Sequence, residues 1–129
     1  MKIEVRIASS PLRIEAADVS DCGAIARFDG IVRGTEDGRS ITAIEYEAYQ
    51  PMAENLIRQI LADLHAEHSF ALARVHHRIG VVPVGEAAII LDVHSRHRGE
   101  AFAVVTKFMD RLKLDVPIWK ARVHFSHDD

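Results

Sequence analysis

A lone cysteine, Cys22, leaves this 129-residue chain with no internal disulfide, which suits a reducing compartment. No run of about 18 apolar residues occurs, so no membrane-spanning helix is expected. The opening MKIEVRIASSPLRIE alternates apolar and charged residues where a signal peptide would carry a continuous apolar stretch. A cytoplasmic location is therefore expected. Neither sign of charge dominates: a formal net charge of −3 gives no general pull toward nucleic acid or an acidic membrane, so any anion site must be local. GxSxG, P-loop and GxGxxG motifs are absent, which removes support for a hydrolase elbow or a nucleotide cradle. Linkers, repeats and low-complexity stretches are also missing, and one domain over residues 1–129 is expected.

What is present is ordinary globular material. With 48% apolar and 27% charged residues, a chain of this length can bury a core without a metal or disulfide staple. Ile3, Val5 and Ile7 alternate with Lys2, Glu4 and Arg6, the period of a half-buried strand. Residues 15–20 can form a short helix. Ala24 to Val32 reads as a strand in which Gly30 marks a bulge or a close backbone approach. Residues 34–39 read as an exposed, turn-rich loop, and 41–48 as a returning strand. Pro51 suits a first helical turn, and Met52, Leu56, Ile57, Ile60, Leu61 and Leu64 extend a helix to about residue 67. Strands follow near 72–79 and 86–94, separated by Gly80, Pro83 and Gly85. A second helix over about 98–113 carries Ala101, Val105, Phe108, Met109 and Leu112 on one stripe, and Ile118 to Phe125 forms a last strand. Hairpins mixed with helices predict an α+β fold with a mixed, mostly antiparallel sheet and two main helices.

Eight histidines raise the question of a metal. His76 and His77 are adjacent on a strand and face opposite ways, so they cannot chelate together. His65 and His68 can share a helix face, yet no carboxylate or thiol sits at a zinc spacing around them. No metal is expected. Cys22 has no defined catalytic partner and reads as a small packing residue.

Two segments carry more chemistry. His94-Ser95-Arg96-His97-Arg98-Gly99-Glu100 places Arg96, His97 and Arg98 where a helix begins, and helix N-termini attract phosphate. Cations there oppose the helix dipole, which fits either an anion site or an exposed arginine pair. In Lys113-Leu114-Asp115-Val116-Pro117-Ile118-Trp119-Lys120, Lys113 lies about 40° from Met109 around the helix and so flanks the apolar stripe. It either snorkels to water or sits in a partly dry cleft as a usable acid, base or nucleophile, and spacing does not choose between these.

These segments resemble the molybdopterin synthase large-subunit family over nearly the whole chain. Phe28-Asp29-Gly30-Ile31-Val32-Arg33 is similar to an F-x-G-x-V-R stretch, and Glu45 to Asn55 to an E-x-Y-x-P-M segment. His77-Arg78-Ile79-Gly80 followed by Val84-Gly85-Glu86 resembles H-R-x-G and its turn. Ser95-Arg96-His97-Arg98 stands where the family has S-x-H-R. Met109 to Lys113 and Val116 to Lys120 resemble D-x-L-K and P-x-W-K. Six such fragments in register make coincidence improbable.

The resemblance implies an α/β-hammerhead type of α+β fold and a homodimer. Each large subunit would hold one small ubiquitin-like sulfur-carrier subunit ending in a Gly-Gly thiocarboxylate, giving a heterotetramer. It implies a sulfurtransferase that converts cyclic pyranopterin monophosphate to molybdopterin, with no cofactor of its own. By the resemblance Lys113 and Lys120 are catalytic, and Arg33, His97 and Arg98 contact substrate. Ile31, Val32, Ala121 and Arg122 would line the same pocket. Ile31 departs from the lysine common between the glycine and valine of F-x-G-x-V-R. Many members continue into a tail with tryptophan and arginine, whereas His124, His127, Asp128 and Asp129 stand here. Arg98 and Lys113 are fifteen positions apart on one expected helix, so a composite pocket is predicted, with His97 and Arg98 from one protomer facing Lys113 of its mate. Two other classes compete: a noncatalytic scaffold that binds the small subunit, and a metal-dependent hydrolase using the histidines.

Overall fold

The computed structural model describes residues 1–126; the expectation attached to His127, Asp128 and Asp129 lies outside the described residues. In chain order the elements are β1 (Lys2–Ala8), β2 (Ala24–Ile31), β3 (Thr35–Glu36), β4 (Arg39–Ala48), α1 (Gln50–Glu67), β5 (Leu72–Arg78), β6 (Gly80–Pro83), β7 (Ala87–Ser95), α2 (Arg98–Asp115) and β8 (Ile118–Phe125). The first sheet runs β1-β5-β7-β2, parallel only between β1 and β5. The second is built on the long β4, which pairs with β3, β6 and β8, all antiparallel. The expected α+β architecture, with a mixed sheet and two main helices, is the one found.

Both helices lie on one face of the first sheet. Their buried stripes, Ala53, Ile57, Ile60, Leu61 and Leu64 on α1 and Ala101, Val104, Phe108 and Leu112 on α2, close over Ala26, Ala73, Val75, Ile89, Leu91 and Val93. A smaller core of Val32, Ile41, Ile44, Val82 and Ala88 sits against the second sheet. Neither helix is long and apolar enough to cross a membrane.

Three local readings change. Residues 15–20 form no helix. Six residues make too few hydrogen bonds to offset the cost of nucleating one, and the segment instead spans the sheet, because β1 and β2 lie at its opposite edges. The Glu15 carbonyl accepts from Arg74 Nη1 at 2.8 Å on the outer face, away from the helices. Residues 80–83, read as a separator, form β6. Gly80 at φ +81° turns the chain out of the first sheet so that Tyr46 pairs with Gly80 in the second. The 34–39 loop is a tight hairpin whose β3 is two residues long.

Gly30 is the close approach its position suggested. Register shifts between Gly30 and Ile31, and a Cβ on Gly30 would lie 2.7 Å from Ile89 Cγ2 and 3.3 Å from the Phe28 ring. Ile89 is buried, and its branched carbon has no free rotation with which to retreat. Gly30→Ala is expected to cost about 1–3 kcal/mol, read as a lower thermal midpoint. Wild-type stability in that variant would show that the strand yields there.

Candidate active site

The start of α2 is an uncapped helix N-terminus flanked by basic side chains, with Glu100 in its first turn. His97 is the N-cap, with extended backbone at φ −130° and ψ 154°, and no side chain caps the first turn. The first N–H groups of an uncapped helix face solvent with partial positive charge. Arg96, His97, Arg98 and Gly99, with Gly23 and Ala24, line a cleft of about 480 Å³. The three basic side chains are all exposed. His94 belongs elsewhere: it is 2% exposed and its Nε2 lies 3.1 Å from Asp92 Oδ2, so it is framework.

Lys113 lies in the last turn of α2, the end of a helix that favours a cation. It is exposed on the flank of the stripe that ends at Leu112. Arg98 and Lys113 are thus on one unbroken helix, and fifteen residues of rise put them about 22 Å apart along its axis. Within one chain the start of α2 and this lysine are not brought together.

Lys120 sits on β8, opposite Tyr46 of β4. Its ammonium donates to Glu36 Oε2 at 3.0 Å. Tyr46 is half-buried beneath, edge-on to the His77 ring at 5.5 Å between centroids. Burial pushes the Tyr46 phenol up from its ordinary value, with the Lys120 charge acting against it and the Glu36 charge with it. The β8–β4 register jumps here: Tyr46 faces Lys120 and Glu45 faces Arg122, leaving Ala121 as the extra residue of a bulge. The bulge reverses the usual alternation. Lys120 therefore shares the face of Tyr46, whereas Arg122 shares that of Glu45, where His124 Nε2 also approaches Glu45 Oε1 at 3.4 Å. Lys120 and Arg122, read together in the sequence, project to opposite faces.

The stretch Ile31 to Arg33 runs from the Gly30 bulge toward the β3–β4 hairpin. Ile31 and Arg33 are exposed, but the Val32 side chain is committed to the second core. The Val32 backbone is tied to the β6–β7 turn, its N–H to Glu86 O at 3.0 Å and its carbonyl to Gly85 N at 2.9 Å. Sequence reasoning does not single out Glu36 or Tyr46. The Asp37-Gly38 pair is the available clue, since it specifies a hairpin and hence a fixed place for Glu36.

Three further histidines have partners of other kinds. His76 Nε2 meets Glu4 at 2.7 Å, His77 Nδ1 meets the Arg78 carbonyl at 2.8 Å, and His65 packs edge-on to Phe70. Burial, the larger effect, lowers the His77 pKa against that carbonyl contact. Among the described residues, no three His, Cys, Asp or Glu side chains gather as metal ligands.

Comparison with known proteins points one way. Residues 7–115 match the family described as MoaE protein. The chain is 44% identical over 103 residues to the molybdopterin synthase catalytic subunit of Homo sapiens, covering 80% of this chain and 55% of that protein. It is 39% identical over 110 residues to the subunit of the same name from Bacillus subtilis, covering 85% and 70%. The chain spans about half the length of the mammalian relatives it matches. Its fold superposes on molybdopterin synthase from Staphylococcus aureus with a TM-score of 0.83 at 28% identity, covering 95% and 96% of the two chains.

Proposed function

This chain belongs to the MoaE protein family, and from that premise we propose that it is the catalytic large subunit of a molybdopterin synthase. In this reading it acts in the cytoplasm on cyclic pyranopterin monophosphate. Sulfur arrives on the C-terminal thiocarboxylate of a small ubiquitin-like partner. The observation that carries the reading is the family match together with Arg33, His97, Arg98, Lys113 and Lys120, each present in its own motif.

The chemistry fits what the chain offers. A thiocarboxylate brings its own nucleophilic sulfur, so this subunit needs no thiol, and Cys22 stays outside the reaction. Its tasks are to hold a phosphate, orient a pterin and move protons while C–S bonds form. The uncapped start of α2 suits the phosphate, because free N–H groups and the forked donors of Arg96 and Arg98 converge beside one cleft. Lys113 and Lys120 are the proton carriers, with Arg33, Ile31 and Ala121 at the pocket margin; Val32 contributes backbone only, and Arg122 lies on the opposite face of β8.

The spacing of about 22 Å along α2 supports a site shared between protomers. A pterin monophosphate cannot bridge Arg98 and Lys113 of one helix. The active site is therefore shared across a homodimer, with His97 and Arg98 from one protomer and Lys113 from the other. Two such sites and two small subunits make a heterotetramer.

Reconstitution tests this directly. The protein, a thiocarboxylated small subunit and the pterin precursor should together yield molybdopterin. A stable complex of the two subunits without product would instead identify a scaffold. No complex and no product would defeat both readings.

A further inference from the structure

We propose that Glu36 is a positioning residue for Lys120, holding its ammonium over the Tyr46 side of the second sheet; this rests on the reading of Lys120 as an active-site lysine. Two residues fix the hairpin that carries the carboxylate. Asp37 at φ 52° and Gly38 at φ 76° both adopt the left-handed region, which an Asp-Gly pair tolerates and a two-residue hairpin turn requires. That turn pairs Thr35 with Ser40 and Glu36 with Arg39, so the backbone of Glu36 has a fixed place.

The residue directly across from Glu36 is a cation, yet it is used elsewhere. The Arg39 guanidinium lies over the Phe125 ring, 3.9 Å from its centroid, at the far end of β8. Glu36 instead accepts from a cation on β8, Lys120, at 3.0 Å. The two contacts pin one hairpin to one strand at two points. The Glu36 side chain is 22% exposed and that of Lys120 47%, so the carboxylate is the more sheltered, fixed member of the pair.

A lysine on an exposed strand sweeps a wide arc, since four rotatable bonds separate its ammonium from the backbone. The Ala121 bulge directs Lys120 to the Tyr46 face, and Glu36 then selects one direction within that face. The pairing also divides the work of the site. The charge of Lys120 is already balanced by Glu36, so phosphate anchoring falls to the α2 start and its arginines. Lys120 is held instead for the part of the substrate where bonds change. Removing Glu36 should therefore affect turnover more than substrate affinity.

The test uses the reconstituted complex with Glu36→Gln and Glu36→Asp. Glu36→Gln should lower kcat by about tenfold, the order lost when a catalytic group is misoriented, with KM changed less than about twofold. Glu36→Asp, keeping the charge on a shorter arm, should recover part of that loss. The thermal midpoint should stay at the wild-type value, because a half-exposed pair adds little to stability. A raised KM with normal kcat, or no change in either, overturns the proposal. A second measurement needs no turnover. Competitive acetylation of the lysines, read by peptide mass spectrometry, should show Lys120 shielded relative to exposed Lys2. That shielding should be lost, with labelling rising roughly threefold or more, in Glu36→Gln. If the wild-type complex makes no molybdopterin while Lys120 is shielded by Glu36, the functional reading fails and the pairing stands. If Lys120 labels equally in both proteins, the positioning claim is wrong whatever the activity.

Discussion

Lys113→Ala is expected to abolish most molybdopterin formation, lowering kcat by about 10²–10⁴-fold, the usual contribution of a positioned acid or base. The folded protein should be unaffected. Lys113 is exposed in the last turn of α2, beside but outside the buried stripe, so its truncation opens no cavity. The loss of one favourable charge at a helix end is worth about 0.3–1 kcal/mol. Complex formation with the small subunit should persist, which separates a chemical defect from an assembly defect. Retention of even a tenth of the activity would remove Lys113 from the centre of the mechanism.

The geometry of α2 adds a stronger form of the same test. Arg98→Ala and Lys113→Ala chains should each be inactive alone. Mixed and allowed to exchange, they should regain roughly a quarter of wild-type activity, since half the dimers are hybrids and each hybrid holds one intact shared site. A site contained within one protomer cannot complement in this way. Activity that stays at the single-variant level after demonstrated exchange would place both residues in a site within one protomer, against the shared pocket.

How much of this is legible in the sequence depends on whether a residue's partner is local. The period of two in Ile3, Val5 and Ile7 and the stripes of both helices encode which side is buried, and these elements stand where expected, although Met52 is exposed and Val104 is buried more deeply than Val105. Gly30 is legible too, because a glycine inside a strand pattern weakens the strand unless a bulge or a close neighbour requires it. The misread segments depend on distant partners. Gly80 to Pro83 is a strand only because β4 is there to receive it, and its four residues carry no period of their own. Residues 15–20 are committed to crossing the sheet, which follows from β1 and β2 lying at opposite edges. The same holds at the candidate site. Lysine and arginine types mark Lys113, Lys120 and the α2 start, but the bulge at Ala121 that parts Lys120 from Arg122 is a property of the β4–β8 register. Glu36 is hidden for the same reason: 84 positions separate it from Lys120.

The outer face of the first sheet yields the largest expected effect on stability, and it involves no active-site residue. In register across four strands lie Glu4, Arg74, Asp92 and Arg27, a row of alternating charge. Asp92 is 4% exposed and Arg74 7%. Two hydrogen bonds join them, at 2.9 and 2.6 Å, and His94 adds a third to the same carboxylate. Burial alone would push the Asp92 carboxyl up, but the bonds from Arg74 and His94 together outweigh it and hold it below its ordinary 3.8. Asp92→Ala would leave a guanidinium buried without its counterion and His94 without its acceptor. It should cost about 3–5 kcal/mol, and the thermal midpoint should fall by roughly 10–20 °C. Arg74→Met combined with Asp92→Leu should recover much of that loss, because the penalty lies in the stranded charge and not in the absence of an ion pair. The acid side follows from the same carboxylate. A folded pKa below the unfolded one means that the unfolded chain takes up protons first, so the stability due to Asp92 is complete above about pH 4 and fades as pH falls through the folded value. Glu4, lowered chiefly by its hydrogen bond from His76, acts in the same direction. Wild-type thermal midpoints should therefore drop below about pH 4, and the Asp92→Leu, Arg74→Met double variant should lose less over that interval. An equal acid sensitivity in the two proteins would show that this buried row is not what fails when the carboxylates protonate.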